Sequence, residues 1–309
     1  MGGQRRPKIV VVGSYAVGLV MRTARLPAQG ETVLGHDFQS MDGGKGSNQA
    51  VACARLGAET VFVAAIGDDA YGDRALSLLD GAGVDTSLVR RIRDVPTGVG
   101  FIIVDEAGHN AIAVDLGANR LLSCADVDRA ENVIAAADVL LCQLEIAPEV
   151  ALHAAATARR HGVRTVLNPA PAQALHPDGL ACVDVLTPNL GEARTLCGND
   201  SNDLRGLAQL LRRMGVGTVI LTVGENGALI ASEAGIRAIS APRVDAVDTT
   251  GAGDAFSAAL AVALAEGGSL EDATAFACAA GAFSVQSLGT VPSYAARPQL
   301  DAFVRHAAT

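Results

Sequence analysis

The chain has 309 residues, half of them hydrophobic and only 18% charged, so it can bury a large core, and disorder is excluded as its resting state. That length fits one large α/β domain, and residues 1–309 are taken as a single one. A formal charge of −9 argues against a nucleic-acid partner, which needs a basic face for phosphates, and leaves room for a local positive pocket.

The opening MGGQRRPKIVVVG leads straight into a strand pattern, and its apolar run is too short for a signal-peptide core. Arg6 stands where a myristoylation signal at Gly2 wants Ser or Thr, so no lipid anchor is expected. No stretch approaches the ~20 apolar residues that a membrane span needs. Cys53, Cys124, Cys142, Cys182, Cys197 and Cys278 lack paired spacing and lie mostly in apolar surroundings. They read as reduced, buried thiols of a cytoplasmic protein. The scattered histidines predict no zinc site.

Residues 8–13 (KIVVVG) form the first predicted strand. Residues 60–67, 139–145, 165–171, 183–189 and 218–224 repeat its nearly continuous apolar character, as expected for parallel strands covered on both faces. Helical patterns lie between them at 48–56, 71–80, 125–137, 148–161 and 204–214. This alternation predicts an α/β fold with a doubly wound, mostly parallel sheet flanked by helices. Ligands of such sheets sit beyond the carboxyl ends of the strands. Residues 31–42 and 96–119 break the pattern as extended pieces, the second a hairpin turning at 105–109. Together they are expected to form a small β-sheet lid or a dimer surface. Three helical patterns fill 252–308, with a loop at 288–292.

The sharpest chemical signal is Asp248-Thr249-Thr250-Gly251-Ala252-Gly253-Asp254, which follows the strand-like 236–247 and opens an Ala/Leu-rich helix. Glycines let the backbone approach a ligand, and a helix N-terminus offers free N–H groups and the positive end of its dipole to an anion. Asp254 at that end can take a proton from a hydroxyl nucleophile, or the glycines are only a turn and Asp254 only a helix cap. A second Gly-rich loop, Gly43-Gly44-Lys45-Gly46-Ser47-Asn48, also opens a helix but lacks the GxxxxGK[ST] spacing. Its Lys45 and Asn48 suit sugar hydroxyls. Asn189 and Glu192, three apart at a strand-to-helix turn, can hold a hydrated Mg²⁺ or serve as an ordinary cap. The glycines of Thr222-Val223-Gly224-Glu225-Asn226-Gly227 could admit a nucleotide, and they equally suit a hairpin turn. Glu145 closes an apolar strand, where it can point into the crevice or stand as a surface residue.

The order of these signals carries a resemblance. Gly30-Glu31-Thr32, GGKGSNQA (43–50), Gly67-Asp68-Asp69 with Gly72, Gly117-Ala118-Asn119, Gln143-Leu144-Glu145, NPAPA (168–172), Thr187-Pro188-Asn189 with Glu192, TVGENG (222–227) and DTTGAGD (248–254) all stand in sequence. From about residue 8 to 307 the chain resembles the ribokinase (PfkB) family of carbohydrate kinases. The resemblance implies ATP-dependent phosphorylation of a sugar's primary hydroxyl on a ribokinase-like fold. It implies Asp254 as base, with the amides of Ala252, Gly253 and Asp254 beyond Gly251 as an anion hole. Gly44, Lys45, Asn48 and Glu145 would contact sugar. Asn189, Thr222, Gly224, Gly227 and Gly253 would border ATP, with Glu192 steering Mg²⁺ waters. Asp248, Thr250, Ser284, Ser287, Gly289 and Ser293 match the positions of an activating monovalent cation, K⁺. The resemblance also implies a homodimer through the β lid.

One departure bears on the substrate. The family's ribose enzymes begin with a strand ending GSxNxD, whose Asn and Asp hold sugar hydroxyls. This chain has Ala16 and Gly18 there. A buried hydroxyl left without its partner costs about 1–3 kcal/mol. The expected substrate therefore lacks those hydroxyls, is bulkier there, or meets another polar group, Tyr15 and Asp42 being nearest in sequence. The competing readings are a nucleoside kinase of the same family, with Phe38 and Phe101 as the rings at hand, and a non-catalytic sugar or nucleotide sensor.

Overall fold

The apolar runs assemble into one ten-stranded sheet in a computed structural model that describes residues 5–307, so Gly2 lies outside the described residues. In chain order the elements are β1 Lys8–Val12, β2 Ala16–Thr23, β3 Gly35–Gly43, α1 Lys45–Arg55, β4 Glu59–Gly67, α2 Ala70–Gly81, β5 Val84–Asp85, β6 Val89–Ile92, β7 Gly98–Asp105, β8 Asn110–Asp115, α3 Cys124–Arg129 and α4 Glu131–Ala135. Then come β9 Val139–Cys142, α5 Pro148–Arg160, β10 Arg164–Leu167, α6 Pro177–Leu180, β11 Val185–Leu186, α7 Leu190–Cys197, α8 Leu204–Arg213, β12 Thr218–Thr222, β13 Ala228–Ser232, β14 Gly235–Ile239, α9 Ala252–Ala265, α10 Leu270–Ser284 and α11 Arg297–Ala307.

The large sheet runs β14-β13-β12-β11-β10-β9-β1-β4-β5, with β6 also on β4. All its pairs are parallel except the hairpin edge β12-β13-β14. Alternate residues of one strand feed opposite cores. Ile9 and Val11 pack with the face carrying α1, α9 and α10, and Val10 and Val12 with the face carrying α3, α5 and α8. That two-sided burial explains why the strands read as unbroken apolar runs. α9 is buried from Asp254 to Leu264, which its Ala/Leu sequence permits. From β1 the chain winds outward to β4 and β5, then returns as β9 on the other side of β1. The β1/β9 boundary is thus the switch point where a crevice opens at the strand ends.

Three expectations need correction. The helix predicted over 125–137 is two short helices, α3 and α4, meeting at Ala130. Asp126 turns inward there, closing a capping box with Ser123 and an ion pair with Arg90. Second, the lid is a four-stranded sheet, β3-β2-β7-β8, and its strand β2 falls outside the two predicted segments. Val17 and Leu19 of β2 pack towards Ile66, Tyr71 and Ala75, while Arg22 and Met21 are exposed, so no clean alternation marks the strand. The 105–109 turn is as expected, with Asp105 N donating to His109 O at 2.9 Å. Third, the strand-like run at 236–247 is a strand only to Ile239. Among the described residues no helix is long and apolar enough to cross a membrane. All six cysteines are free, and Cys53, Cys142 and Cys278 are buried while the other three are partly exposed.

Candidate active site

The DTTGAGD run reaches the crevice as the start of α9. Gly251 caps the helix with φ 78°, a left-handed conformation. A side chain there would put Cβ 2.5 Å from the Tyr294 hydroxyl and 2.9 Å from Thr290 Cγ2. Gly253, two residues on, faces open space: a Cβ there would meet nothing within 4 Å. The Ala252 and Asp254 amides donate to Thr249 O (3.3 Å) and Gly251 O (3.0 Å) inside the turn, so two of the three expected anion-hole amides are already engaged.

Asp254 is 5% exposed. Its Oδ2 accepts from Asn48 Nδ2 and its Oδ1 from Gln49 Nε2, each at 2.9 Å. Burial pushes its pKa above the ordinary carboxylate value; the Lys45 charge and the two amide donors pull the other way, and Glu145 adds to the rise. Burial also works against charge on Lys45, but the carboxylates of Asp254, Glu145 and Glu192 outweigh it and its pKa is raised. Residues from four separate stretches therefore share one electrostatic field.

The GGKG loop is fixed by close backbone approach. Gly44 has φ 89°, and a Cβ there would lie 2.7 Å from Ala16 N and from Tyr15 Cα. Glu145 Oε2 accepts from Ser14 Oγ (2.6 Å) and from Lys45 N (2.8 Å), and Ser47 N donates to Ser14 O (2.8 Å). Glu145 thus clamps the start of α1 to the end of β1. Asn48 Oδ1 is buried without a hydrogen-bond partner among the described residues. A carbonyl oxygen left so is an acceptor awaiting a donor.

On the other flank, Asn189 and Glu192 form a reciprocal capping box on α7. Asn189 Oδ1 accepts from Glu192 N at 2.9 Å, and Glu192 Oε2 accepts from Asn189 N at 2.8 Å. The cap reading of this pair is therefore what the geometry contains, and burial raises the Glu192 pKa. Asn189 bridges in parallel to Thr222. Gly224 and Gly227 lie in the β12–β13 hairpin turn, both at positive φ. Gly227 is demanded by packing, since a Cβ would approach Ala241 N to 2.7 Å, whereas Gly224 faces open space.

Residues 6–297 match the model of the pfkB family of carbohydrate kinases. The chain belongs to this family. It is 41% identical to a mouse ribokinase over 294 residues, covering 93% of this chain and 91% of that one. It is 36% identical to a Salmonella typhimurium deoxyribokinase over 300 residues, covering 96% and 98%. An Arabidopsis thaliana ribokinase complexed with ribose and ATP superposes with a TM-score of 0.91 at 32% identity, over 97% of this chain and 99% of that one. The protein is an ATP-dependent sugar kinase of the ribokinase type.

Two further groups of predicted residues complete the picture. Asp248 accepts from Thr250 N and Gly289 N, each at 2.9 Å, tying the loop before α9 to the loop after α10. Burial would raise its pKa, but hydrogen bonds from Thr250 and Gly289 prevail and hold it below the usual value. Ser284 and Ser293 are buried and donate to Gly281 O (2.9 Å) and Thr290 O (2.7 Å). Ser287 N donates to Ser284 O at 3.3 Å in the same bend.

At the lid end, Ala16 pairs with Gly43 and Gly98, and Gly18 with Met41 and Gly100, so in these two rows of the lid sheet Met41 is the one large side chain and none is a hydrogen-bonding group. Tyr15 and Asp42 do not supply one. Tyr15 is fully buried, and its hydroxyl donates to Asp42 Oδ1 at 2.7 Å. Arg74 takes both Asp42 oxygens, at 2.8 and 3.1 Å. Sequence reasoning also missed Gln49, Gln143 and Asn168 as site residues. Their signal was a polar residue inside an otherwise apolar buried run (NQAVACA, VLLCQLE and TVLNPAP).

Proposed function

We propose that the enzyme moves the γ-phosphoryl group of ATP to a primary hydroxyl of a small sugar, with Asp254 as the base. One observation carries this reading: a buried carboxylate in the first turn of α9, oriented through both oxygens, at the switch point of the sheet. As the sugar oxygen attacks phosphorus, its proton passes to Asp254 and the bond from phosphorus to the bridging oxygen of ADP breaks. The Gly253 amide, flanked by those of Ala252 and Asp254, and the Lys45 ammonium face the charge in transit. Gly44, Lys45, Asn48 and Glu145 hold the sugar; the free Asn48 carbonyl supports this by its need of a donor. Asn189, Thr222, Gly224 and Gly227 border the nucleotide.

Glu192 offers hard oxygens suited to Mg²⁺ waters, and the ion when bound neutralises phosphate charge. Asp248, Thr250, Ser284, Ser287, Gly289 and Ser293 offer only oxygen donors, which fits K⁺. The exposed apolar side chains Ile112 and Val114, on one face of the lid, support a homodimer through that sheet. Six free thiols fit a reducing, cytoplasmic setting.

For the sugar, the reading is a pentose with few polar demands at the lid end, a deoxypentose before ribose. Ala16 and Gly18 supply no polar group, and Tyr15 and Asp42 are satisfied by each other and Arg74. The deoxyribokinase relative points the same way. The test is ADP release with MgATP and K⁺ across pentoses, deoxypentoses, hexoses and nucleosides, with Asp254→Asn beside the wild type. Turnover confined to nucleosides, or substantial turnover by Asp254→Asn, overturns the reading.

A further inference from the structure

Beneath the base lies a chain of buried amides of which the phosphoryl-transfer reading uses only the first link, the hydrogen bond from Gln49. Gln49 is completely buried on α1 and donates through Nε2 to Asp254 Oδ1 at 2.9 Å and to Asn168 Oδ1 at 3.3 Å. Its Oε1 accepts from Nε2 of Gln143, also fully buried. Asn168 Nδ2 donates to Thr187 O at 3.2 Å. Gln143 follows β9, Asn168 follows β10 and Thr187 follows β11.

The sense of this chain is dictated at its far end. A backbone carbonyl can only accept, so Thr187 O requires the NH₂ of Asn168. The Asn168 oxygen is then turned to Gln49, which must answer with its own NH₂. That same NH₂ group carries the second hydrogen to Asp254, an acceptor when ionised. The Gln49 oxygen then needs a donor, and Gln143 supplies it. Had any amide been reversed, two acceptors or two donors would meet in a dry interior. Gly13 makes room for this: a side chain there would run into Gln143 Oε1.

We propose that Gln49 is a positioning residue for Asp254, itself oriented by Gln143, Asn168 and the Thr187 carbonyl, so that three strand ends of the central sheet set the attitude of the base. The inference rests on Asp254 acting as base. It assigns Gln49 no contact with sugar or nucleotide. A donor on Oδ1 favours the ionised carboxylate, so its loss shifts the base towards its protonated form. The other charged or titratable groups whose fields reach Asp254 are Lys45, Glu145, Glu192 and Tyr294, and none is altered by changing Gln49.

The experiment is Gln49→Met, similar in shape but without donor or acceptor, read by steady-state kinetics over pH alongside Asp254→Asn. The expected result is a kcat lower by roughly 10- to 100-fold. KM for ATP and sugar should stay within about threefold of wild type, and the acid limb of the pH profile should move to higher pH. Gln143→Met, one link further from the carboxylate, should move both readouts the same way by less. Together the two substitutions should cost less than the product of their separate effects. A Gln49→Met enzyme with wild-type kcat and an unmoved acid limb overturns the inference. So does a variant that only loses thermal stability or substrate binding while its acid limb stays put. If Gln49→Met does not fold, Gln143→Met decides alone, by whether its limb moves. Activity in Asp254→Asn would instead sink the base assignment itself, a separate failure.

Discussion

The two ends of the crevice are built on opposite plans. At the phosphoryl end, both oxygens of Asp254 are held by buried amides whose partners reach three strands of the central sheet. At the lid end, Ala16, Gly18, Gly43, Gly98 and Gly100 present almost no side chain, on a sheet whose outer strands β3 and β8 are largely exposed. On the proposed reading the chemistry is set in buried structure, where a charge is worth most and reorganises least. On the same proposed reading, substrate choice sits on a thin sheet that can change residues without disturbing the core.

The largest effect that sharpens this contrast is at the base. Asp254→Asn should lower kcat by about 10²- to 10⁴-fold, the usual span for removing a general base. ATP binding, followed by calorimetry, should hardly change. At the lid end, Ala16→Asn with Gly18→Asp should improve kcat/KM for ribose by about tenfold or more, from roughly 1–3 kcal/mol per hydroxyl partnered. It should leave ATP kinetics alone, and an unchanged ribose value would mean that these positions do not set specificity.

Smaller effects separate two glycines of one loop. Gly251→Ala forces a side chain into a left-handed backbone and against the Tyr294 hydroxyl, and should cost about 1–3 kcal/mol of stability in a denaturant melt. Gly253→Ala meets no protein atom, so its melt should stay within about 0.5 kcal/mol while its kcat/KM for ATP falls. A large loss of stability in Gly253→Ala would break the claim that this space belongs to a ligand.

The smallest perturbation is pH alone. As the proposed base Asp254 works ionised, and burial raises its pKa. Activity should therefore fall with acidification through a pKa above the ordinary aspartate value, where an exposed aspartate would still be charged. An acid limb at the ordinary aspartate value would show that the base is not this buried group.

Much of this was legible in the chain. Unbroken apolar runs such as KIVVVG announce strands buried on both faces, and DTTGAGD announces a helix start with a carboxylate in its first turn. Local spacing also offered the Asn189–Glu192 cap, beside a role in holding Mg²⁺, because both partners lie within one turn. The amide chain was not legible. Its links join residues 205, 119 and 94 positions apart, and no local rule pairs them. A polar residue in a buried run says that a partner exists, not which one. The strand β2 was hidden for a different reason: one face packs inward and the other is half-exposed, so AVGLVMRT follows neither period cleanly. Tyr15 and Asp42 looked like replacements for the lost sugar contacts. Only the fold reveals that they answer each other.

The central claim is that an intact phosphoryl-transfer end is joined to a lid end that has given up its ribose contacts. The direct measurement is kcat/KM for 2-deoxyribose and for ribose with MgATP and K⁺, in the wild type and in Ala16→Asn/Gly18→Asp. The account predicts that the wild type prefers the deoxy sugar and that the double substitution shifts the preference towards ribose. A wild type that prefers ribose, with a ratio the substitutions do not move, would contradict it.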